Sequence, residues 1–546
     1  MKISTTLSIL PGSSSSLWTT VHSVGTFNVA CSFAALWAFV KVLRALRWRL
    51  KTTQLRGPPR SSIVYGVSND LVSSTDTAAM YERWADEYGV VYMIPSVLGQ
   101  TKIVLCDPKA IAHFYARETW TYVQTPLASV FLEGFIGRGL LWAHGESHRR
   151  QRKALTPAFS NAAIRKLTTV FYDSAYKVKG AWDTSIESSK DGNAVIEVQN
   201  CLDTIGIAGF SHDFGSLDGK HATVTEVFDT FGNDSQASAV NKVFILLAEV
   251  FPTIVKIPTK RTILTKKLGV TMSEISNKLL IRSRQEKGAN INEAEEENPF
   301  IYVTTTVKAE GQDAELRLSE EEVVAQVRGD YSSDEFQANV MQMKVLLVAG
   351  YETTSVSLTY SWNHQWALIE LSRHLDVQTR LREELLAFGA DPTYDQLKAN
   401  LPFLDAVVHE ILRLHPPISE FVRLAAADDV IPLGEPVRTA SGKMTDSISV
   451  AKGSLITISA GAINRSFSIW GPDAKEFKPD RWLTEGGISG RPRKSKTVLS
   501  VLVKNFMFEM RDGPDTQLEI ARGILPRPRV VGEDGTGVPL RVRRYE

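Results

Sequence analysis

Hydrophobic and polar residues follow two different patterns along this chain. Residues 90–95 and 101–106 are short runs rich in β-branched and aromatic side chains around a glycine-containing segment, which predicts two paired strands. From Ser160 onward apolar residues recur at spacings of three and four, which predicts helices. The clearest helical segments are residues 162–172, 273–284, 376–388 and 404–414. The pattern therefore predicts a mainly α-helical domain with a smaller β portion.

An apolar segment near the amino terminus, residues 24–43, predicts a transmembrane helix. Lys41 is its only charged residue, and its length approaches the roughly 20 residues that span a bilayer. Basic residues flank its carboxyl-terminal end and predict that this side stays in the cytosol. They are Lys41, Arg44, Arg47, Arg49, Lys51, Arg56 and Arg60. A cleaved secretory signal is the alternative, although only Lys2 provides basic charge before the apolar run.

These signals divide the chain into four parts. Residues 1–23 form a lumenal tail, residues 24–43 an anchor, and residues 44–60 a basic flank with a proline hinge. Gly57-Pro58-Pro59 ends any helix and is expected to act as a stiff hinge, because proline removes a backbone donor and restricts the residue before it. Residues 61–546 contain no long Gly/Ser-rich or Pro-rich linker, so we expect one large domain.

Charge and cysteine content exclude several classes of protein. Lys and Arg number 62 and Asp and Glu 61, so the chain lacks the basic excess expected of a nucleic-acid-binding protein. The three cysteines, Cys31, Cys106 and Cys201, have no pairwise spacing typical of structural zinc and are too few for a disulfide framework. Cys106 is interpreted as a small apolar strand residue. The composition favours a domain in a reducing, cytosol-facing environment.

The apolar helical stretch at residues 345–354 contains an unusual polar group. Gly350, Glu352 and Thr353 interrupt an otherwise apolar run. A glycine inside a helix costs roughly 0.5–1 kcal/mol relative to alanine, and close approach of a flat ligand is one reason to keep it. The neighbouring acid and alcohol could deliver protons to dioxygen. An ordinary buried helix whose threonines bond to the preceding turn explains the same pattern.

Two arginines and one glutamate form a second motif. Glu410 and Arg413 are three residues apart and share a helix face, and Pro416 follows them. Such pairs are common and usually contribute little. Arg481, in the segment Phe477-Lys478-Pro479-Asp480-Arg481-Trp482, supplies a possible third partner. A buried glutamate with two arginines would lock these segments together.

The third motif is a basic helix face at residues 145–153. His148 and Arg152 are four residues apart on one face and could together bind carboxylates. A solvated basic surface is the alternative interpretation.

Together these motifs resemble the cytochrome P-450 haem-thiolate monooxygenases over nearly the whole chain. Residues 145–160 look most like the membrane-bound enzymes of basidiomycete fungi. The resemblance implies a cytochrome P-450-like fold and a catalytic domain over residues 61–546. It implies that Glu352 and Thr353 are the acid–alcohol pair beside Gly350, and that Glu410, Arg413 and Arg481 are the structural triad. It further implies that His148, Arg152 and Arg423 hold the haem propionates, with His148 standing where the family more often has Trp.

The same resemblance implies a reaction and its partners. One oxygen atom from dioxygen would be inserted into an apolar small molecule, such as a terpenoid or a polycyclic aromatic compound. Haem b, iron protoporphyrin IX, would be the cofactor, and NADPH would supply electrons through the membrane-bound NADPH-cytochrome P-450 reductase. The protein would be a single-pass protein of the endoplasmic reticulum with its catalytic domain in the cytosol.

The chain departs from the family pattern at the metal ligand. The family has a Phe-Gly-x-Gly-x-Arg-x-Cys-x-Gly loop after the position of Trp482, whereas no cysteine follows Cys201 here. Residues 497–503 resemble the end of the helix that normally follows this loop, so the loop is predicted to be missing between 482 and 497. Residues 327–342 and 360–365 interrupt segments that would otherwise join as helices, and both end in Gln. Splicing or gene-prediction errors would explain these three features.

Three hypotheses follow. The chain is a monooxygenase whose sequence is defective at the haem ligand, a pseudoenzyme that binds a small molecule or a reductase without turnover, or an unrelated membrane-associated helical scaffold. A transcript with a cysteine loop between Trp482 and Thr497 would exclude the pseudoenzyme.

Overall fold

The structure is a computed structural model that describes residues 45–156, 160–197, 239–259, 360–483, 495–521, 527–533 and 537–545, with scattered positions at 32–43 and 262–274. Helices account for more of these residues than strands do, as the hydrophobic pattern predicts.

The helices alternate with short strands in the first part of the chain and dominate the middle. In chain order they are α1 (Ser68–Ser73), α2 (Thr77–Tyr88), α3 (Pro108–Ala116), α4 (Pro126–Ile136), α5 (Gly145–Leu155), α6 (Asn161–Glu187), α7 (Ala239–Val250), α8 (Tyr360–Arg373), α9 (Leu375–Phe388), α10 (Tyr394–Ala399), α11 (Pro402–Leu414), α12 (Ala460–Asn464), α13 (Phe467–Trp470) and α14 (Ser495–Asn505). Short 3₁₀ turns are Val97–Gly99, Pro252–Lys256 and Pro479–Trp482.

The strands in the described part of the chain form four small sheets. They are β1 (Val91–Pro95), β2 (Thr101–Leu105), β3 (Tyr122–Gln124), β4 (Asn193–Glu197), β5 (Glu420–Ala425), β6 (Asp429–Arg438), β7 (Met444–Val450), β8 (Leu455–Ser459), β9 (Phe506–Met510), β10 (Leu518–Ala521), β11 (Arg527–Val530) and β12 (Pro539–Arg544). The largest sheet has the order β1-β2-β8-β5-β3, in which only β2 and β8 pair in parallel. The others are β4-β12-β9, β6-β7 and β10-β11.

Local sequence signals explain where several helices begin. Asp76, Asp107 and Thr125 precede α2, α3 and α4, and each side chain accepts a hydrogen bond from the backbone N–H three residues later. These acceptors satisfy donors that the first turn of a helix leaves without partners. Pro108 and Pro126 occupy first-turn positions, where a missing N–H costs nothing.

Helix α14 lies at the centre of the helical core. Each residue of the stretch 496–503 is at most 3% exposed, so the helix is covered on every side. It packs against α6, α8, α9 and α11. A helix that is buried all round belongs to the interior of a large domain.

The segment before residue 60 packs on the domain. Trp48 donates to the Ser454 hydroxyl at 2.9 Å, and the backbone N–H of Thr53 donates to the Ser449 carbonyl at 2.9 Å. A Cβ atom on Gly57 would lie 1.7 Å from the Met93 carbonyl oxygen, so the backbone at Gly57 is pressed against β1. The backbone at Gly57 thus lies against the domain, and the hinge expected at Gly57-Pro58-Pro59 stays a prediction.

In the part of the chain that the structure describes, no helix combines the length and the apolar character needed to cross a membrane. The predicted transmembrane helix at 24–43 is thus without support from the described residues, and residues 24–31 lie outside them.

The other predicted elements agree with the fold. The paired strands are confirmed as β1 and β2, and the helices at 376–388 and 404–414 are confirmed as α9 and α11. The predicted helix at 162–172 is the first part of the much longer α6. Apart from Glu274, the predicted helix at 273–284 lies outside the described residues.

Candidate functional site

The carboxylate of Glu410 is the most enclosed charged group of the site region. It lies on the apolar face of α11 and is 0% exposed. Arg413 Nε donates to Oε2 and Arg413 Nη2 to Oε1, both at 2.8 Å. Arg481 Nε, the backbone N–H of Lys478 and Trp482 Nε1 each donate at 2.9 Å. Five hydrogen bonds therefore hold this carboxylate.

These donors keep Glu410 ionised. Burial alone would raise the pKa of Glu410, but the bonds from Arg413, Lys478 and Trp482 outweigh it, so the pKa lies below its ordinary value. A buried carboxylate with hydrogen-bonded cations and amide donors behaves in this way. The structure thus brings the three predicted triad residues, Glu410, Arg413 and Arg481, into direct contact.

Both arginines also fasten the segment that precedes Trp482. Arg413 Nη1 donates to the carbonyls of Asn464, at 2.7 Å, and of Ala474. Arg481 Nη2 donates to the carbonyl of Asp473 at 2.9 Å, and its Nη1 reaches the Asp473 carboxylate at 3.1 Å. The cluster is therefore a structural clamp that joins α11 to residues 464–482.

A second cluster of charge lies between α5 and β5. His148 is half-buried on α5 and Arg152 is exposed one turn later, while Arg423 lies on β5 with its side chain 17% exposed. Burial lowers the pKa of His148, the charge of Arg152 lowers it further, and Glu118 acts in the opposite direction. Arg423 forms an ion pair with Glu118 at 2.8 Å. Glu118 thus pairs with Arg423 and acts electrostatically on His148.

Gly350, Glu352 and Thr353 lie outside the described residues, as do the predicted insertion at 327–342 and residues 484–494. The second predicted insertion, 360–365, is described and forms the beginning of α8.

Comparison with known proteins decides the family. The family model for cytochrome P450 matches residues 57–500. The chain belongs to the cytochrome P450 family.

Similar proteins from fungi are named cytochrome P450 monooxygenases. The cytochrome P450 monooxygenases claQ and claP of Ampulloclitocybe clavipes are 47% and 48% identical to the chain over 561 residues, which cover 97% of this chain and 100% of each relative. Cytochrome P450 monooxygenase 205 of Postia placenta is 32% identical over 571 residues, covering 96% of this chain and 99% of that protein. These similarities support an enzyme, and membership of the P450 family implies a haem cofactor.

The carboxylate-binding side of a haem site fits the residues that are present. His148 and Arg152 on α5 and Arg423 on β5 are potential donors to carboxylates, and planar arginine groups suit such acceptors. In this P450 chain Glu118 already accepts hydrogen bonds from Nε and Nη2 of Arg423.

The metal-ligating side does not fit. The chain has no cysteine after Cys201, whereas a thiolate is the axial ligand of this family. Cys106 lies beside β2 and is 6% exposed, and burial raises the pKa of its thiol to about 12, which disfavours the thiolate. Cys31 and Cys201 lie outside the described residues, within which no group of three or more His, Cys, Asp or Glu side chains could hold a metal ion.

The sequence did not reveal a second buried carboxylate close to the clamp. Glu370 on α8 contacts His415 Nε2 at 2.7 Å, and the His415 ring stacks on Trp366 with ring centroids 3.7 Å apart. Burial would raise the pKa of Glu370, but His415 and then His374 and Arg373 lower it below its ordinary value. No spacing rule relates α8 to the residue that ends α11, so only the tertiary structure reveals this group.

Proposed function

We propose that this P450 is a haem-dependent monooxygenase of apolar small molecules whose present sequence is inactive because it lacks the axial cysteine. The observation that carries the proposal is the contrast between an intact clamp at Glu410 and a chain without a cysteine after position 201. The five hydrogen bonds of the clamp support a fold adapted to the family's activity. The cysteine that would ligate the haem iron, however, is missing.

The proposed roles follow the chemistry of the side chains. His148, Arg152 and Arg423 bind the two carboxylates of haem b, which supplies the oxygen chemistry when it is bound. Glu352 and Thr353 hold and transfer protons on the oxygen side, and Gly350 leaves room for close approach of a flat group. The relatives' designation as monooxygenases supports this assignment.

The proposed substrate is an apolar compound, a terpenoid or a polycyclic aromatic molecule, and electrons come from NADPH through a cytochrome P-450 reductase. The proposed location is the endoplasmic reticulum membrane, with the domain on the cytosolic side. Exposed apolar side chains near the amino terminus support a membrane contact. Leu36, Phe39, Val42 and Leu43 are each about half exposed, at 49–60%.

The lack of the ligand loop is supported by two further observations. The aligned spans of 561 positions exceed the 546 residues of this chain, so the relatives contain residues without a counterpart here. Helix α14 begins at Ser495 and is buried from Lys496 to Val503, as expected for the remainder of a longer central helix.

A pseudoenzyme is the second candidate function. The absence of a cysteine after Cys201 favours it, because a chain selected for turnover would keep the ligand. Such a protein would use its apolar interior to bind a small molecule, or its surface to bind a reductase, without oxidising anything.

Two experiments separate these functions. Sequencing the transcript across Trp482–Thr497 should reveal a cysteine loop in the major form; its absence in every form would favour the pseudoenzyme. A repaired chain, with a Phe-Gly-x-Gly-x-Arg-x-Cys-x-Gly loop between Trp482 and Thr497 and without residues 327–342 and 360–365, should bind haem and oxidise apolar compounds when given reductase and NADPH. Failure of the repaired chain to take up haem would contradict the proposed function.

A further inference from the structure

The turn at residues 117–120 contacts both elements of the cationic cluster. Glu118 Oε1 accepts hydrogen bonds from Arg423 Nε at 3.2 Å and from Arg423 Nη2 at 2.8 Å. Both side chains are largely buried, with exposures of 29% for Glu118 and 17% for Arg423. Because the screening by water is reduced at such a site, this pair is held more firmly than a surface ion pair.

The next two residues of the turn hold the beginning of α5. The carbonyl of Thr119 accepts a hydrogen bond from the backbone N–H of Gly145 at 2.7 Å. The Trp120 ring lies 3.8 Å from the position that a Cβ on Gly145 would occupy. Helix α5, which carries His148 three residues later, is therefore fixed to the same turn that holds Arg423.

The backbone of this turn is strained. Thr119 has φ of +71°, a left-handed conformation that is unfavourable for a β-branched residue. Strain of this kind costs of order 1–3 kcal/mol and persists where the surrounding structure enforces it, often at functional sites. The strain is thus a second observation, independent of the ion pair, that sets this turn apart.

The hydrogen bonds of Arg423 leave a defined part of its guanidinium available. A guanidinium has five N–H donors in one plane. Nε and Nη2 donate to Glu118, and Nη1 donates to the carbonyl of Val422 at 3.1 Å. One N–H on each terminal nitrogen has no acceptor among the described residues, and the fixed plane sets the direction of both.

We propose that Glu118 is a positioning residue, which orients Arg423 so that its two remaining N–H groups receive a carboxylate of the haem. The inference rests on the proposed function, because it assumes that Arg423 and His148 bind haem carboxylates. Glu118 also acts electrostatically on His148 and raises its pKa, against the effects of burial and Arg152. Its carboxylate therefore holds the Arg423 guanidinium in place before a ligand binds.

A purely structural ion pair is the competing explanation. It would tie β5 to the turn, and its loss would weaken every ligand of the pocket to the same extent. A positioning residue instead affects those ligands that carry the carboxylate, since only they use the oriented N–H groups.

The test compares haemin with haemin dimethyl ester, in which both carboxylates are blocked. Each is titrated into the full chain as written, and binding is followed by quenching of tryptophan fluorescence. The parent should bind haemin more tightly than the ester. In Glu118→Ala this preference should fall roughly tenfold, the amount expected when an immobilised side chain becomes mobile, with little change in ester affinity. Glu118→Asp should retain part of the preference.

Glu146→Ala is the matched control. Glu146 is an exposed carboxylate on α5 whose ion pair with Arg149 spans 3.4 Å, so its removal should leave both affinities unchanged. The positioning role would be overturned if Glu118→Ala lowered the affinities for haemin and for the ester equally. It would also be overturned if the variant bound haemin more tightly than the parent does. A parent that binds neither compound, or binds both equally, would instead overturn the proposed carboxylate-binding function of the pocket.

Discussion

Glu410 and Arg413 lie one turn apart on α11 and are joined by two hydrogen bonds of 2.8 Å, with side-chain exposures of 0% and 2%. The motif Glu146–Arg149 has the same spacing on α5, but there the pair spans 3.4 Å and the side chains are 57% and 74% exposed. The two pairs allow the effect of burial to be measured separately from that of sequence spacing.

Glu410→Ala should lower the free energy of unfolding by roughly 3–5 kcal/mol, because it leaves Arg413 buried without its anionic partner. Chemical denaturation of the soluble domain measures the change. Glu146→Ala should change the free energy by less than about 1 kcal/mol, since exposed ion pairs contribute little. Equal effects of the two substitutions would show that Glu410 is not the centre of a clamp.

Stability should fall in acid because of Glu410 and Glu370. The pKa of each carboxyl is lower in the folded protein than its ordinary value of 4.5. A group of this kind adds stability that is fully present above its unfolded pKa and is lost as the pH falls through the folded pKa. The free energy of unfolding should therefore decrease below about pH 4.5 and less steeply in Glu370→Gln. An unchanged dependence of stability on pH in that variant would contradict the lowered pKa of Glu370 in the folded protein.

Trp48→Ala should release the segment before residue 60 from the domain. The indole packs against the β portion and donates to Ser454, and the neighbouring Thr53 amide is bonded to the Ser449 carbonyl. Hydrogen exchange of the Thr53 amide should accelerate, because local opening becomes easier when packing is lost. Arg49→Ala, at the exposed neighbouring position, is the control and should leave the exchange rate unchanged. Equal rates in both variants would argue for a loosely attached segment.

Thr119→Gly should raise the free energy of unfolding by about 1 kcal/mol, because glycine adopts the left-handed conformation without a steric penalty. Thr121 lies in the same region but does not have a positive φ. Thr121→Gly should instead lower stability by roughly 0.5–1 kcal/mol through the entropy of the unfolded chain. Thermal unfolding of the two variants measures the sign of the stability change in each. A Thr119→Gly variant less stable than the parent would contradict the claim that the backbone at Thr119 is strained.

The sequence predicted those features that depend on local spacing. The Glu410–Arg413 pair follows from residues three apart on an apolar helix, and the strands β1 and β2 follow from a short-range pattern. Arg481 was predicted because it stands in a recognisable segment beside Trp482.

The features that the sequence did not predict depend on contacts between distant segments. Glu118 and Arg423 meet only because β3 pairs with β5, and His415 reaches Glu370 only because α8 packs on α11. The contact of Gly57 with Met93 is a third example, because no local pattern predicts which backbone lies against this glycine.

The absence of a thiolate ligand is tested most directly by the absorption spectrum of the chain as written after addition of haemin, reduction and exposure to carbon monoxide. We expect no red-shifted Soret band of the thiolate-ligated type, because no cysteine follows Cys201 and the only described cysteine, Cys106, is buried with a raised pKa. An imidazole-type spectrum would agree with this account. A thiolate-type band from this exact sequence would contradict it.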